Sequence, residues 1–462
     1  TVNRLSPYLR ECRSLLAIAW PTMIAQLAQM GTGVVDTLMA GHYSAVDLAA
    51  IAIGYNIWLP LFLLTLGIML ATSVIVAQDY GAQRWQRIRD TLPQALWLAL
   101  LLGALVGPAL YRTEPLLDLL GLDPVTHDKS LGYLQAVAWG MPATVIFQAL
   151  RCHTQGLGVM RPFAVASVIG FCANIPLNYA FIYGQWGIPE MGATGCGWAT
   201  AISMWLGTAL IAIYLLLARD LRPYLPPLKL VAPNWALIGE ICVVGIPVGL
   251  TFFLEIGVFS VIGLLIATLG NTAMAAHQIA YNVWDVLYMP LISVGTAMAT
   301  RVGHAIGAGQ PAAVRLAAHC GLFITLAVGL ASTLVLLTLP DLIVRAYTSD
   351  GAITAIARRL LQLAALFVII DALQIATAYG LRAFKDTRFP FLVTCVAYWL
   401  IALPLGYWLG IQRADNPLDG ALGFWTSLII GIGISAVLVS WRFFRTLNRP
   451  TGDRSEATGD LL

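Results

Sequence analysis

The sequence predicts an all-α polytopic membrane protein: twelve transmembrane helices in two pseudo-symmetric six-helix bundles. Three observations carry this. Of its 462 residues, 59% are hydrophobic and only 11% charged, with a mean hydropathy of +0.80, a balance foreign to water-soluble folds. Apolar runs long enough to cross a hydrocarbon layer of about 30 Å recur twelve times. The second half of the chain also repeats landmarks of the first at a nearly constant offset.

In order, the first span is expected at 14–40, holding Pro21 and "GVVDTLM", and the second at 47–78, with Ala49-Ala50 and "IGYNIW". The third covers 92–111, the fourth 132–157 with "QALRCHTQG", the fifth 162–183 with "NIPLNY", and the sixth 193–217. After the polar, proline-rich "RDLRPYLPPLKLVAPNW", which resists helix, six more follow at 238–266, 273–300, 315–339, 355–381, 389–411 and 420–441. Several exceed the minimum crossing length, which implies tilt, bending or protruding ends. The 42 glycines and 23 prolines fit membrane helices, where glycine permits close approach and neighbours re-satisfy bonds that proline breaks.

Counting loops alternately, twenty of the 26 basic residues fall on the side of the termini. The positive-inside rule therefore places both termini in the cytoplasm. The first span is expected to serve as its own insertion signal. The predicted domains are an N-terminal lobe at 1–218, a cytoplasmic linker at 219–237, a C-terminal lobe at 238–447 and a disordered tail at 448–462, polar and without periodicity. The seven cysteines are scattered, with no CxxC pair, and read as small packing residues. A net charge of +3 without basic, aromatic-rich stretches argues against nucleic acid as a partner.

A shift of 226 places Pro21 on Pro247, Ala49-Ala50 on Ala275-Ala276, "IGYNIW" on "IAYNVW" and Gly81 on Gly307. A shift of 228 places Pro162-Phe163 on Pro390-Phe391, "PLNY" on "PLGY", and Gly192 and Gly195 on Gly420 and Gly423. So regular an offset marks duplication. Six spans per repeat is even, so the repeats are parallel, and two bundles facing one cleft is the transporter arrangement this implies.

Three carboxylates break the symmetry. Asp36 falls opposite Ile262, Glu255 opposite Gln29 and Asp371 opposite Ala143, so duplication did not copy them. Each lies well inside a span, where an ionised Asp costs about 2.5–3.5 kcal/mol even on insertion scales. No Lys or Arg lies within two helical turns of Asp36 or Glu255, and Asp371 has only distant Arg382 on its own helix. Burial without a partner disfavours the charge, making these groups candidates to hold a proton reversibly or bind a small cation. Polar glue between helices is the structural alternative.

Asn174 and Asn178, at i and i+4 around Pro176, are candidates to share a site with Asp36. Asp285 is a fourth intramembrane carboxylate. With Gln278, Asn282 and Gln374 it is a candidate to line the cleft, packing polarity being the alternative reading for all four. His277 is read as a proton relay or a satisfied helix-start histidine. Glycines that end long helices explain "DYGAQRW" and "HAIGAGQP". No HExxH, phosphate loop or G-x-S-x-G elbow is present, so the chain is expected to be no enzyme and to draw on an ion gradient.

Taken together, "MGTGVVDTLMAGHYS", "QALRCHTQG", "NIPLNY", "FFLEIGVF", "AAHQIAYN" and "DALQIATAYGLRAFKD", in this order, resemble the multidrug and toxic compound extrusion (MATE) family, in its bacterial NorM-type branch. The resemblance implies two six-helix lobes around a cleft in the bacterial inner membrane. It also implies export of cationic amphipathic drugs, dyes and fluoroquinolone-like compounds in exchange for protons or sodium. By match to the motifs, Asp36, Asn174 and Asn178 form an N-lobe site, and Glu255 and Asp371 a C-lobe site that would be the metal site if sodium is the coupling ion. The lipid bilayer is the remaining partner, and the chain is expected to act as a monomer without a cofactor. Phe367, one turn before Asp371, stands where related members can carry tyrosine. Sodium wants about five or six oxygen ligands, and the residues one turn from Glu255 and Asp371 supply few, so the proton is the expected ion. A lipid or polysaccharide flippase is the alternative; its anionic cargo would call for basic residues inside the membrane, where the charges here are acidic. A channel would show polar residues repeated around a pore.

The orientation is testable. A cysteine replacing Pro226 on a cysteine-free background is expected to resist impermeant thiol reagents in intact cells and react after permeabilisation; labelling from outside would reverse the topology.

Overall fold

The computed structural model describes residues 2–226 and 231–449, with side chains from residue 7 onward. Part of the expected linker and nearly all of the expected disordered tail lie outside the described residues. No strand occurs among them. The first repeat comprises α1 (Val2–Tyr43), α2 (Ala45–Gly81), α3 (Trp85–Tyr111), short α4 (Glu114–Leu119), α5 (Pro124–Ala138), α6 (Met141–Gly156), α7 (Arg161–Tyr183) and α8 (Ala193–Leu217). A 3-10 turn at Arg219–Tyr224 follows. The second comprises α9 (Trp235–Ala267), α10 (Asn271–Gly307), α11 (Pro311–Thr338), short α12 (Pro340–Tyr347), α13 (Gly351–Ala383), α14 (Arg388–Thr394), α15 (Leu403–Tyr407) and α16 (Pro417–Leu447). The short helices α4 and α12 occupy the same place in each repeat, after the third span.

Ten of these helical stretches are at least 18 residues long and apolar enough to cross a membrane. The 42-residue α1 and the α5–α6 pair supply the other two of the twelve spans.

Two spans differ from simple expectation. The fourth is not one helix: it breaks at Trp139-Gly140, ahead of Pro142. Proline lacks an N–H and disfavours helix just before it, and α8 takes up carbonyls around the break. Trp205 Nε1 donates to Trp139 O, at the break itself, at 3.0 Å, as the bilayer interior requires of a freed backbone group, and Thr208 Oγ1 adds a bond to Ala143 O inside α6 at 2.8 Å. The eleventh span winds as π-helix over Cys395–Ala402 and Trp408–Gln412, on either side of α15. Wider turns accommodate Pro404, which cannot join a regular i to i−4 ladder. The two long helices expected to end at glycine do so, at Gly81 and Gly307, but the left-handed residue beyond each is Gln83 (φ 58°) in one and Gly309 (φ 64°) in the other.

Contacts group the chain differently from the repeat. One compact unit is Trp20–Gly249; the other joins the chain up to Ala19 to the residues from Leu250 onward. Both divisions fall within helices, α1 and α9. In the second unit, a bidentate pair of Arg301 on α10 with Glu11 on α1, at 2.8 and 2.6 Å, holds the start of α1. In the first, Arg87 on α3 bridges Asp79 at 3.3 Å and Glu240 at 2.5 Å. Gln94 and Trp97 bond the backbone at Ala232 and Val231. Deeper in that unit α9 lies directly on α2: a Cβ on Gly67 would come within 2.3 Å of Gly249 Cα.

Asp47, unremarked in the sequence, anchors one end of the first unit. Fully buried in the first turn of α2, it meets Lys129 Nζ on α5 at 2.5 Å and accepts from the Ala193 N–H, the first of α8, at 2.7 Å. Gly192 (φ 56°) allows this; a Cβ there would sit 2.4 Å from Asp47 Oδ1. A carboxylate at a helix N-terminus meets free N–H groups and the positive end of the dipole. Asp47→Ala strands a cation and a buried N–H. It is expected to lower stability by about 2–4 kcal/mol, read as a drop in the thermal unfolding midpoint in detergent. Asp47→Asn, which keeps an acceptor for Ala193, should lose less.

Candidate ion and substrate sites

In the first unit, Pro176 interrupts the backbone ladder of α7 and leaves Asn174 and Asn178 on the same face, one turn apart. Both are fully buried, and Asp36 on α1 is 5% exposed. Asn178 Nδ2 donates to Asp36 Oδ1 at 2.6 Å and to Asn174 Oδ1 at 2.9 Å. Thr200 on α8 donates to Asp36 Oδ2 at 3.0 Å, and Cys196, one turn earlier, faces the same carboxylate. The predicted trio is thus brought together, and Thr200 joins it.

Both oxygens of Asp36 accept, which suits an ionised carboxylate. Asn174 Nδ2 and Asn178 Oδ1 are buried with no hydrogen-bond partner among the described residues. If both amides turned over, Asn178 Oδ1 would accept from a protonated Asp36 and from Asn174 Nδ2. The array can therefore satisfy Asp36 with or without a proton, which an apolar pocket could not.

In the second unit, Asp371 on α13 is buried and accepts from Trp284 Nε1 on α10 at 3.2 Å. Around that indole, Phe259 stacks at 4.9 Å, Phe367 meets it edge-on at 5.8 Å, and Tyr288 lies at 5.2 Å. Phe367 is 2% exposed and also touches Phe259 and Trp425, so the position one turn before Asp371 contributes ring edges and no oxygen. Glu255 on α9 is half-buried, makes no hydrogen bond or ion pair with a described residue, and interacts electrostatically with Asp371 and Arg382. The sequence put Arg382 on Asp371's helix as a distant charge; in the fold its guanidinium lies 5.5 Å from the ring of Phe252, one turn before Glu255 on α9.

The remaining predicted residues are placed as follows. Gln374 accepts from Tyr398 Oη at 3.4 Å in a buried contact. Gln278 and Asn282 bond each other at 3.1 Å on an exposed part of α10. Asp285 is half-buried and without a hydrogen bond to a described residue. His277 is 3% exposed, and its Nδ1 accepts from Trp425 Nε1 at 3.1 Å, a structural bond that fixes the ring. No cluster of three or more His, Cys, Asp or Glu that could hold a metal occurs among the described residues. Thr200, Trp284 and Trp425 were missed because an isolated threonine or tryptophan in an apolar span carries no signal until its partner is known.

The family model MatE matches residues 21–180 and 247–408, once in each repeat. The chain is 42% identical over 440 residues to Multidrug resistance protein PmpM of Pseudomonas aeruginosa, covering 95% of this chain and 92% of that one. It is 38% identical over 447 residues to Multidrug resistance protein MdtK of Photorhabdus laumondii, covering 96% and 98%. The fold matches the eukaryotic MATE transporter AtDTX14 with a TM-score of 0.88 at 20% identity, over 99% and 100% of the two chains. It also matches the outward-facing structure of a multidrug resistance MATE family transporter of the MOP superfamily, with a TM-score of 0.85 at 19% identity over 95% and 96%. Two matched repeats, relatives aligned almost end to end, and carboxylates set on apolar helices lead to one conclusion: this chain belongs to the MATE family of membrane transporters.

Proposed function

We propose that the protein is a multidrug efflux antiporter of the bacterial inner membrane, with both termini cytoplasmic, exporting cationic amphipathic compounds by alternating access. The observation that carries this is the pair of carboxylate sites, Asp36 with its amides and Glu255 with Asp371, on membrane helices where no Lys or Arg among the described residues forms an ion pair with any of the three. An ionised carboxylate there attracts an organic cation; neutralised by a coupling ion, it lets the cation go. Exchange of this kind requires the two ligands to favour different conformations, since a ligand with equal affinity for both shifts nothing. Aromatic rings around Asp371 suit flat, lipophilic cations, which gain from ring faces as well as from charge.

The proton is the coupling ion we favour. One oxygen of Asp371 is taken by an indole N–H, and Phe367 and Phe259 flank that indole, a setting poor in the oxygen ligands that sodium needs. A proton needs only one carboxyl oxygen. The flippase alternative lacks support from the carboxylates of either site, which would repel a phosphate-bearing cargo.

Drug-sensitive cells expressing the protein are expected to grow in ethidium or a fluoroquinolone at concentrations that stop the parent strain; no protection would favour the flippase. Glu255→Gln and Asp371→Asn, each near-isosteric, should abolish efflux while leaving folded protein in the membrane. Parental rates in both would remove the second-unit site from the mechanism. In liposomes, a pH gradient in sodium-free buffer should drive drug uptake or release, and a sodium gradient at clamped pH should do little. Transport that follows sodium alone would overturn the proton and leave the antiporter intact.

A further inference from the structure

Among the described residues, Asp371 has one hydrogen-bond donor and Asp36 has two, but Glu255 has none. What the fold supplies near it is a cation from another helix. Arg382 lies near the end of α13, 8% exposed. Its guanidinium stacks 4.1 Å from the centre of the Tyr379 ring, one turn back on its own helix, and 5.5 Å from the Phe252 ring. Phe252 is one turn before Glu255 on α9, on the same side of that helix. Arg382 forms no ion pair with a described carboxylate. It is therefore a buried charge stacked against two aromatic faces, one of which, Phe252, lies a single turn from Glu255 on α9.

The other ionisable groups that act on Glu255 are Asp371 on α13, Tyr288 on α10 and Tyr398 on the π-helical span, and none of these is cationic. The first repeat provides a contrast. Its own Leu-Arg pair, Leu150-Arg151, likewise ends the fourth span with a buried guanidinium, 4.4 Å from the Phe163 ring. There, however, Arg151 donates to Gln148 at 2.8 Å, and the unit's carboxylate, Asp36, is met by amide and hydroxyl groups. Only in the second repeat does the arginine answer to the site's carboxylate.

We propose that Arg382 is the internal counter-ion of Glu255 and sets how strongly the site holds cations: a tethered guanidinium that balances the carboxylate when no cationic ligand is bound and opposes the ligand when one is. The inference rests on the cation-exporter reading above. Its effect is to keep binding weak enough for release, since a site that held organic cations with an uncompensated carboxylate in an apolar bundle would let go slowly.

The test is equilibrium binding of tetraphenylphosphonium, a monovalent lipophilic cation, to the purified full chain in detergent. Arg382→Gln should tighten binding by about five- to tenfold, the size of a partly screened charge interaction across several ångströms, and Arg382→Lys should stay near the unsubstituted protein. On a Glu255→Gln background, Arg382→Gln should change affinity little, because the carboxylate for which guanidinium and ligand compete is gone. Arg382→Met, which keeps a long apolar side chain without charge, serves as the second neutral variant should Arg382→Gln fail to fold. Unchanged or weaker binding in the neutral variants, or the same gain with Glu255 replaced, would overturn the counter-ion role and leave the exporter reading standing. No binding of the probe by the unsubstituted protein would instead overturn the cation-substrate reading itself, and this inference with it.

Discussion

A carboxyl group inside an apolar helix bundle must lose its charge, share it, or have it met by dipoles and cations aimed at it. The rest of this structure answers to that constraint. Desolvating a carboxylate costs several kcal/mol unless something in the fold offsets it, and the protein meets the cost in a different way for each of four acids. Asp47 takes a lysine and a helix N-terminus. Asp36 takes an amide and a hydroxyl. Asp371 takes one indole N–H. Glu255 takes no direct bond from a described residue. The series runs from a carboxylate that is locked as a structural charge to one whose charge state is left open, and the open ones are those on which transport would depend.

The two sites therefore rest on different chemistry. The first is amide-rich: its hydrogen bonds can reverse direction as Asp36 gains or loses a proton. The second is aromatic, with tryptophan and phenylalanine fixing Asp371 and a stacked arginine near Glu255. A duplicated scaffold carries both. The carboxylates are not repeated between the halves, while landmarks of the scaffold such as Pro21 and Pro247, or Gly192 and Gly420, are shared.

The same constraint governs the irregular backbone. A helix that breaks or widens inside a bilayer exposes carbonyls that lipid cannot satisfy. The fourth span breaks where Trp205 and Thr208 are at hand to bond its carbonyls. The eleventh does not break; it changes to π-winding around Pro404. In both, one proline interrupts the ladder and the neighbours or the winding re-satisfy it.

The fold class, the twelve spans, the duplication and the presence of carboxylates inside the spans were legible in the sequence, because bilayer thickness imposes a minimum apolar length and because a charge in such a run stands out at once. So was the pairing of Asn174 with Asn178, a matter of helical spacing alone. Only the tertiary structure decided what each charge meets. Thr200 reaches Asp36 from 164 positions away in the chain, and Trp284 reaches Asp371 from 87. Arg382, on Asp371's own helix, stacks against Phe252 of another helix, one turn from Glu255. The start of α1 packs with the second half of the chain through Glu11 and Arg301, although the repeat assigns it to the first. The physical reason is the same throughout: periodicity and hydropathy report which face of a helix is buried, whereas hydrogen bonds and charge pairs depend on which other helix that face is turned toward.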